Sequence, residues 1–319
     1  MTLSGFLFAR ISEGKNIDYK GFLLNRVLRI YPLFTCVLLL AVYLEPARNG
    51  ILAFLSSMLC LHNGSSAVMH PTMTPHLWSI AVEFQFYLLF PLLLKFKRLR
   101  GMNYLFLLIG LAIACRALVY VATHDARTLA YMTLFGRIDQ FLIGMILGFA
   151  YPRLANYVKH PALLVLAGVA TTAALSFFHA KGGFFNTGNG SIWIVWTTIE
   201  AILWGSVILT YCASSMRIAP AFSKSLSFLG TLSFSLYVNH YFLANMIPGK
   251  VIPFFEKLAS GHGFLAEALK SILALDYWAC VLLTPALVLP ATILVSLVTY
   301  YAIEKPFMDM RVKYTTALE

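Results

Sequence analysis

The amino-acid sequence predicts an all-α fold, a polytopic transmembrane helical bundle of about eight full spans preceded by an N-terminal half helix. Three observations support this class. First, 60% of the 319 residues are apolar and only 12% are charged, whereas soluble domains have roughly 45–50% apolar and about 25% charged residues. Second, the apolar residues form runs long enough to cross the hydrocarbon core as a helix, which takes about 20 residues. Third, lysine and arginine are concentrated in alternate loops.

The elements follow in chain order. Residues 1–9, MTLSGFLFA, are apolar but too short to cross and predict the second half of a helix. The run 51–61 is also too short and predicts a re-entrant or interfacial segment, and a short amphipathic helix is expected around 264–274. Eight stretches have the length and composition of full spans: 27–44, 77–94, 104–123, 129–151, 161–179, 191–212, 226–247 and 277–301. Because no linker separates them, residues 1–319 are expected to form one membrane domain without a soluble domain.

The distribution of basic residues predicts the orientation. If residues 10–26 are cytoplasmic and the spans alternate from there, inner segments hold 16 of the 24 basic residues and outer segments hold 6, as the positive-inside rule requires. The net charge of +11 then reflects topology and attraction to anionic membrane lipid. Because the charge is spread over five loops, no nucleic-acid partner is expected. The five single cysteines have no metal-ligand spacing, so no metal is expected either.

Ionisable residues inside the spans mark the candidate site, since each costs several kcal/mol to bury in a bilayer. Counting about 1.5 Å per residue from the helix ends puts six of them, from five helices, at one depth in the outer half of the membrane. These are Glu83, Arg116, Arg137, Asp139, Glu200 and His240. A shared depth predicts one polar cavity that the helices surround.

Helical spacing supports this interpretation. Four polar residues follow one face of the 77–94 helix, namely His76, Ser79, Glu83 and Tyr87. On the 226–247 helix, Ser233, Tyr237 and His240 also share a face. Gly144 and Gly148 form a GxxxG pair, which predicts close helix packing below Asp139.

Each candidate also has a structural interpretation. Arg137 and Asp139 would neutralise other buried charges, Glu200 would be structural, and His240 would be a buried histidine bonded to a carbonyl. For Glu83 together with His76 we prefer the functional interpretation.

Several sequence blocks resemble acyltransferase family 3, the bacterial inner-membrane O-acyltransferases. The block HLWSIAVEFQFYLLFP at 76–91 is the most recognisable. The others run in order along the chain: SGFL at 4–7 with FLLNRVLRIYP at 22–32, RIDQFLIGMILG at 137–148, SFSLYVNH at 233–240 and YYAIEKPF at 300–307.

The resemblance implies a multi-pass protein of the bacterial inner membrane that moves an acyl group, commonly acetyl, from acyl-CoA to a hydroxyl. The acceptor would be a cell-surface polysaccharide or lipid-linked glycan, and a separate extracytoplasmic transferase could complete the reaction. The family has its presumed catalytic histidine, and an arginine eleven residues before it, on a first transmembrane helix. This chain starts after that helix, so we expect no histidine here to take over that role.

The donor, acetyl-CoA, is expected to bind through arginines. Arg26 and Arg29 lie three residues apart at the cytoplasmic mouth of the 27–44 helix, and guanidinium groups bind phosphates in bidentate fashion. They would hold the phosphates of CoA. The alternative is that these two arginines bind no ligand and only contribute to the excess of positive charge on the cytoplasmic side.

The remaining candidates would serve the transfer itself. We expect Glu83 to orient and polarise a histidine base, as buried carboxylates do in catalytic triads, with His76 and His240 in the same catalytic group. Arg137 and Asp139 would set the electrostatics. Side chains expected to contact substrate are Trp78, which would line the acceptor path, and Ser79, Tyr87 and Tyr237.

Two other functions compete with this one. A secondary transporter also carries charges within its spans, but transporters have repeats and matching broken helices, which this sequence lacks. The second alternative is an inactive membrane scaffold. Consumption of labelled acyl-CoA would separate the enzyme from both.

Overall fold

The structure, a computed structural model, describes residues 1–61, 73–185, 187–216, 219–260 and 277–317. Its α-helices are α1 (Thr2–Ser12), α2 (Tyr19–Leu44), α3 (Ile51–Met58), α4 (Trp78–Arg100), α5 (Asn103–Thr123), α6 (Arg127–Met132), α7 (Leu134–Leu154), α8 (Pro161–Ala180), α9 (Trp196–Ala213), α10 (Pro220–Thr231), α11 (Ser233–Ala259), α12 (Tyr277–Thr299) and α13 (Lys305–Met308). Short 3₁₀ segments cover Gly183–Phe185 and Thr187–Ile194, and a π-helical turn covers Tyr300–Glu304. Strands β1 (Lys15–Ile17) and β2 (Thr315–Ala317) pair antiparallel, with Lys15 opposite Ala317.

The all-α, polytopic class is confirmed. Within the described residues, six helical segments are long and apolar enough to cross a membrane: α2, α4, α5, α7, α8 and the segment Pro285–Met308. Helices α9 and α11 coincide with the other two predicted spans. The chain is therefore a multi-pass membrane protein. The expected helix at 264–274 lies outside the described residues.

Three of the predicted spans are divided. The span predicted at 129–151 is broken at Thr133, whose extended backbone ends α6 and whose hydroxyl accepts a hydrogen bond from the Gly136 amide at 3.1 Å. The 226–247 span is divided at Leu232, between α10 and α11, and the first part of 191–212 is a 3₁₀ segment. A hydropathy profile does not detect such breaks, because the residues on both sides of each break are apolar.

The predicted half helix is present as α1, and it lies directly against α7. A Cβ atom added to Gly148 would lie 2.6 Å from the Phe6 carbonyl oxygen, and one added to Gly144 would lie 2.9 Å from the Phe6 amide nitrogen. The GxxxG prediction is therefore confirmed: the two glycines let the backbones approach closely. This contact fixes α1 beside the core.

Aromatic side chains fill the core between α1, α2, α4 and α7. Phe8 from α1 packs against Phe22 and Phe90, with ring centroids 5.3 and 5.2 Å away. Phe86 stacks on Phe141 of α7 at 3.9 Å. The core is therefore anchored on the same four helices that carry most of the predicted site.

One end of the bundle is basic, as the orientation argument requires. Arg98, at the end of α4, donates to the carbonyl oxygens of Ser12 and Lys15 next to β1. Asn25 of α2 exchanges two hydrogen bonds with the backbone of Val312, at 2.7 and 2.9 Å. The start of α2, the end of α4 and the C-terminal segment therefore lie together at this basic end. His76 and Trp78 lie at the opposite end of α4, which the distribution of basic residues predicts to be the outer end.

Candidate active site

A cavity of about 700 Å³ opens between α1, α2, α4 and the region where α10 meets α11. Its lining brings together seven of the residues singled out from the sequence: Arg26, Arg29, Ser79, Glu83, Tyr87, Ser233 and Tyr237. The remaining lining is mostly apolar. One long cavity therefore connects the predicted donor residues with the predicted catalytic carboxylate.

Glu83 lines this cavity and is held by two hydroxyl groups. Its Oε1 accepts hydrogen bonds from Ser4 of α1 at 2.7 Å and from Tyr87, one turn further along α4, at 2.5 Å. No described residue donates to Oε2. The carboxylate is thus fixed in orientation and keeps one oxygen for a substrate or a neighbouring base.

The two arginines of the cavity form no ion pair with a described residue. The Arg26 guanidinium lies 5.0, 5.4 and 5.7 Å from the ring centroids of Phe8, Phe22 and Tyr87. Its Nε is buried without a hydrogen bond, and neither Arg26 nor Arg29 forms an ion pair with any described carboxylate. A guanidinium held by rings but lacking an anion is suited to bind one.

Beyond the cavity, Tyr237 of its lining is in ring contact with His76 and His240, at 5.1 and 5.6 Å between centroids. Ser79 donates to the Tyr237 hydroxyl at 2.6 Å, and that hydroxyl donates to the carbonyl oxygen of His76. The rings of His76 and His240 are 5.0 Å apart, and His76 also stacks on Tyr241 at 5.1 Å. Burial, with a smaller contribution from His240, lowers the pKa of His76 to about 4. His76 is therefore neutral at neutral pH.

Asp139 lies in a different place from Glu83. Both Asp139 and Arg116 are fully buried, and they form an ion pair at 2.9 Å. The same carboxylate accepts hydrogen bonds from Thr197 and Thr198 of α9, at 3.2 and 2.5 Å. The expectation that all six intramembrane charges share one cavity is wrong, because only Glu83 of the six lines it. The Arg116–Asp139 pair is instead hydrogen-bonded to α9.

Arg137 belongs to a third group, between the pair and the cavity. It donates to Gln140 at 3.0 Å and lies 3.7 Å from Glu200. Its guanidinium lies over Tyr131 at 4.3 Å and over Trp78 at 5.4 Å. Glu200 is therefore paired, as its structural interpretation expects, and Trp78 packs on Arg137 instead of lining the 700 Å³ cavity.

Two polar residues of this region were missed from the sequence. Ser4 donates a hydrogen bond to Glu83. The sequence feature that could have identified it is a hydroxyl group within the apolar segment 1–9. Glu304, in the π-helical turn, is fully buried and accepts a hydrogen bond from Ser235, while its Oε2 has no described partner. The sequence feature that could have identified Glu304 is a carboxylate at the end of the last apolar run.

Comparison with known proteins supplies the family. The model of the acyltransferase domain of acyltransferase family 3 matches residues 1–303, nearly the whole chain. The chain belongs to acyltransferase family 3. Membership in this family favours acyl transfer over the transporter.

The relatives in this family are named as O-acetyltransferases. O-acetyltransferase OatA of Staphylococcus aureus (strain NCTC 8325 / PS 47) is 28% identical over 174 residues, and a putative O-acetyltransferase of Staphylococcus aureus (strain COL) is 29% identical over 183 residues. These alignments cover 52% and 54% of this chain but only 28% and 30% of the relatives. Family and relatives together support an O-acyltransferase. No solved structure matches the chain closely.

Proposed function

We propose that this O-acyltransferase transfers an acetyl group from acetyl-CoA to a hydroxyl of a cell-surface polysaccharide or lipid-linked glycan at the bacterial inner membrane. The observation that carries the proposal is one cavity that joins two arginines, neither in an ion pair with a described residue, to a fixed carboxylate. Tyr237 of the same lining is in ring contact with His76 and His240. The relatives' names favour acetyl as the group transferred.

The donor enters from the basic end in this proposal. The phosphates of CoA occupy the arginine end, where Arg26 and Arg29 lack described carboxylate partners and a guanidinium fork can bind phosphate through two parallel hydrogen bonds. The thioester then extends along the cavity toward Glu83. The mostly apolar lining between these groups suits the uncharged part of the donor.

The acceptor arrives from the outer end. Its hydroxyl attacks the thioester carbonyl carbon, the carbon–sulfur bond breaks, and CoA leaves as the thiol after taking up a proton. An alcohol is a weak nucleophile until a base takes its proton. Glu83 and the two histidines are the described groups placed to contribute to that transfer, and Ser79 and Tyr237 supply hydroxyl groups that can bind substrate. A separate extracytoplasmic transferase is a possible further partner.

The test uses the full chain in proteoliposomes with labelled acetyl-CoA. Glu83→Gln keeps a hydrogen-bond acceptor for Ser4 and Tyr87 but removes the charge, and it is expected to lower acetyl-CoA consumption by about 100-fold or more. Glu45→Gln is the matched control, because Glu45 lies at the far end of α2 near the exposed Arg48. It is expected to leave the rate unchanged.

The donor half is tested in the same preparation. Arg26→Gln is expected to raise the KM for acetyl-CoA by about 10- to 100-fold, since hydrogen bonds to charged groups contribute about 1.5–3 kcal/mol. Arg48→Gln serves as its control. Wild-type consumption by the Glu83→Gln variant would remove Glu83 from the mechanism, and no consumption by the wild-type chain would favour the inactive scaffold.

A further inference from the structure

Helix α10 carries its apolar and its polar side chains on opposite faces. At about 100° per residue, Phe222, Leu226 and Leu229 lie together on one face, and Phe228 lies at the edge of that face. The opposite face is formed by polar residues, namely Ser223, Lys224, Ser227 and Thr231. No residue of this helix is acidic. The pattern is that of an amphipathic helix.

The apolar face of α10 is exposed. Phe222, Leu226 and Phe228 have 59%, 43% and 42% of their surface open, and the described part of the chain buries no residue of the helix. Adjacent apolar side chains that a protein leaves exposed mark a surface for contact with a membrane or another molecule. The face of α10 is therefore an interaction surface.

The segment before α10 is held at the basic end of the bundle. The Ser215 amide donates to the Lys159 carbonyl oxygen at 3.1 Å. Slightly earlier, at the end of α9, the Cys212 carbonyl oxygen accepts a hydrogen bond from the Tyr151 hydroxyl at 2.8 Å. The Tyr151 ring in turn lies 5.0 Å from the guanidinium of Arg10, at the end of α1. Helix α10 thus starts at the basic end.

The residue that follows α10 is fixed near the same end. Leu232 is fully buried and packs with Tyr300 and Met308, which precede the C-terminal segment. A helix of 12 residues is about 18 Å long, so α10 cannot cross the bilayer while both of its ends are held there. Its last turn also reaches the cavity, which Gly230 lines.

We infer that α10 is an interfacial helix that lies on the bilayer at the basic end, with Phe222, Leu226 and Leu229 inserted among the lipid chains. Lipid is the partner because α10 joins two helices that coincide with predicted spans, which places its apolar face at the membrane boundary. Amphipathic helices with a polar outer face lie in the plane of that boundary. Lys224 is attracted by anionic headgroups, and the helix has no acidic residue to oppose this attraction.

The inference changes how residues 226–231 meet the membrane. They begin the span predicted at 226–247, in which lipid or protein would surround them. In the structure the bilayer contacts them on one face only, and the crossing begins with α11. This surface goes beyond the proposed acyl transfer and does not depend on it.

The experiment measures depth in the membrane along α10. Single cysteines carry spin labels in a chain whose five native cysteines are replaced by alanine, after its thermal unfolding has been matched to that of the wild type. Phe222→Cys and Leu226→Cys report the apolar face, and Ser223→Cys and Ser227→Cys report the polar face. In proteoliposomes of mixed neutral and anionic phospholipid, relaxation by oxygen and by a water-soluble nickel chelate gives the depth of each label.

Labels on the apolar face are expected about 5–10 Å below the lipid headgroups, with relaxation by oxygen stronger than by nickel. Labels on the polar face are expected in water, with the opposite preference. Leu166→Cys on α8, a span residue with 63% of its surface exposed, is the matched control for lipid. Lys15→Cys, exposed on β1, is the control for water.

Every other pattern contradicts the inference. Labels of both faces at lipid depth would make α10 part of a transmembrane span, and labels of both faces in water would detach it from the membrane. Apolar-face labels that neither reagent reaches would mean that protein covers this face. A second measurement keeps the native cysteines: p-benzoylphenylalanine in place of Phe222 should crosslink to phospholipid on illumination, and a crosslink to polypeptide alone would overturn the inference.

Discussion

The close contact between α1 and α7 can be tested by adding one methyl group. In Gly148→Ala the new Cβ would lie 2.6 Å from the Phe6 carbonyl oxygen and 2.7 Å from the Ala9 Cβ, where ordinary contacts begin at 3.4 Å. The overlap of about 0.8 Å falls on backbone, so α1 as a whole must move. Overpacking of this kind destabilises by about 1–3 kcal/mol.

The chain supplies matched controls for this substitution. A Cβ at Gly110 on α5 or Gly168 on α8 would meet nothing within 4 Å, so alanine there brings only its better helix propensity, up to about 1 kcal/mol. Thermal unfolding of the purified variants in detergent should place Gly148→Ala below both controls by about 1–3 kcal/mol. Because α1 carries Ser4, acyl transfer should fall as well. Equal stability of Gly148→Ala and Gly168→Ala would refute the close packing.

Two further predictions concern buried charges. Arg116→Met leaves Asp139 buried without its cation and should destabilise the protein by about 3–5 kcal/mol, whereas the double variant with Asp139→Leu should lose less than the two single variants together; additive losses in thermal unfolding would contradict the pairing. For His76 the folded-state pKa of about 4 lies below its ordinary value of 6.5. The unfolded chain therefore binds the extra proton between these values, and stability falls as the pH drops from 6.5 to 4. His76→Gln should flatten that fall and the exposed His179→Gln should not; parallel melting profiles for the two would exclude the assigned pKa.

The sequence predicts a depth in the membrane for each charged residue, but it does not predict the direction in which the side chain points around its helix. Glu83, Arg137 and Asp139 were expected to meet because they share a level. Residues 137 and 139 are two apart on α7, which turns their side chains about 200° from each other. One therefore reaches Trp78 and Gln140 and the other reaches Arg116. Only the packing partners of α7 decide which direction leads to the cavity.

Three of the four residues in the stripe predicted for the 77–94 helix line the cavity, and His76 does not. Ser79, Glu83 and Tyr87 repeat at helical spacing on one helix, so their common face follows from the sequence alone, and all three line one cavity. Ser4 could not be connected to Glu83 in the same way, because 79 residues separate them and nothing local relates α1 to α4. Whether these side chains act on substrate stays a prediction.

The hydrogen bonds of the buried arginines distinguish a structural group from a binding one. Arg116 donates to the carbonyl oxygens of Ile194 and Gly136, to Thr198, and to Asp139. A guanidinium group with these hydrogen bonds has no free N–H donor for a ligand. Arg26 lies among aromatic rings with Nε buried and unbonded, although leaving a buried donor of a charged group unmade is costly. Such an arrangement is stable in a membrane when an anion completes it, and the phosphates of an acyl-CoA donor are anions that a cavity open toward the basic end can admit.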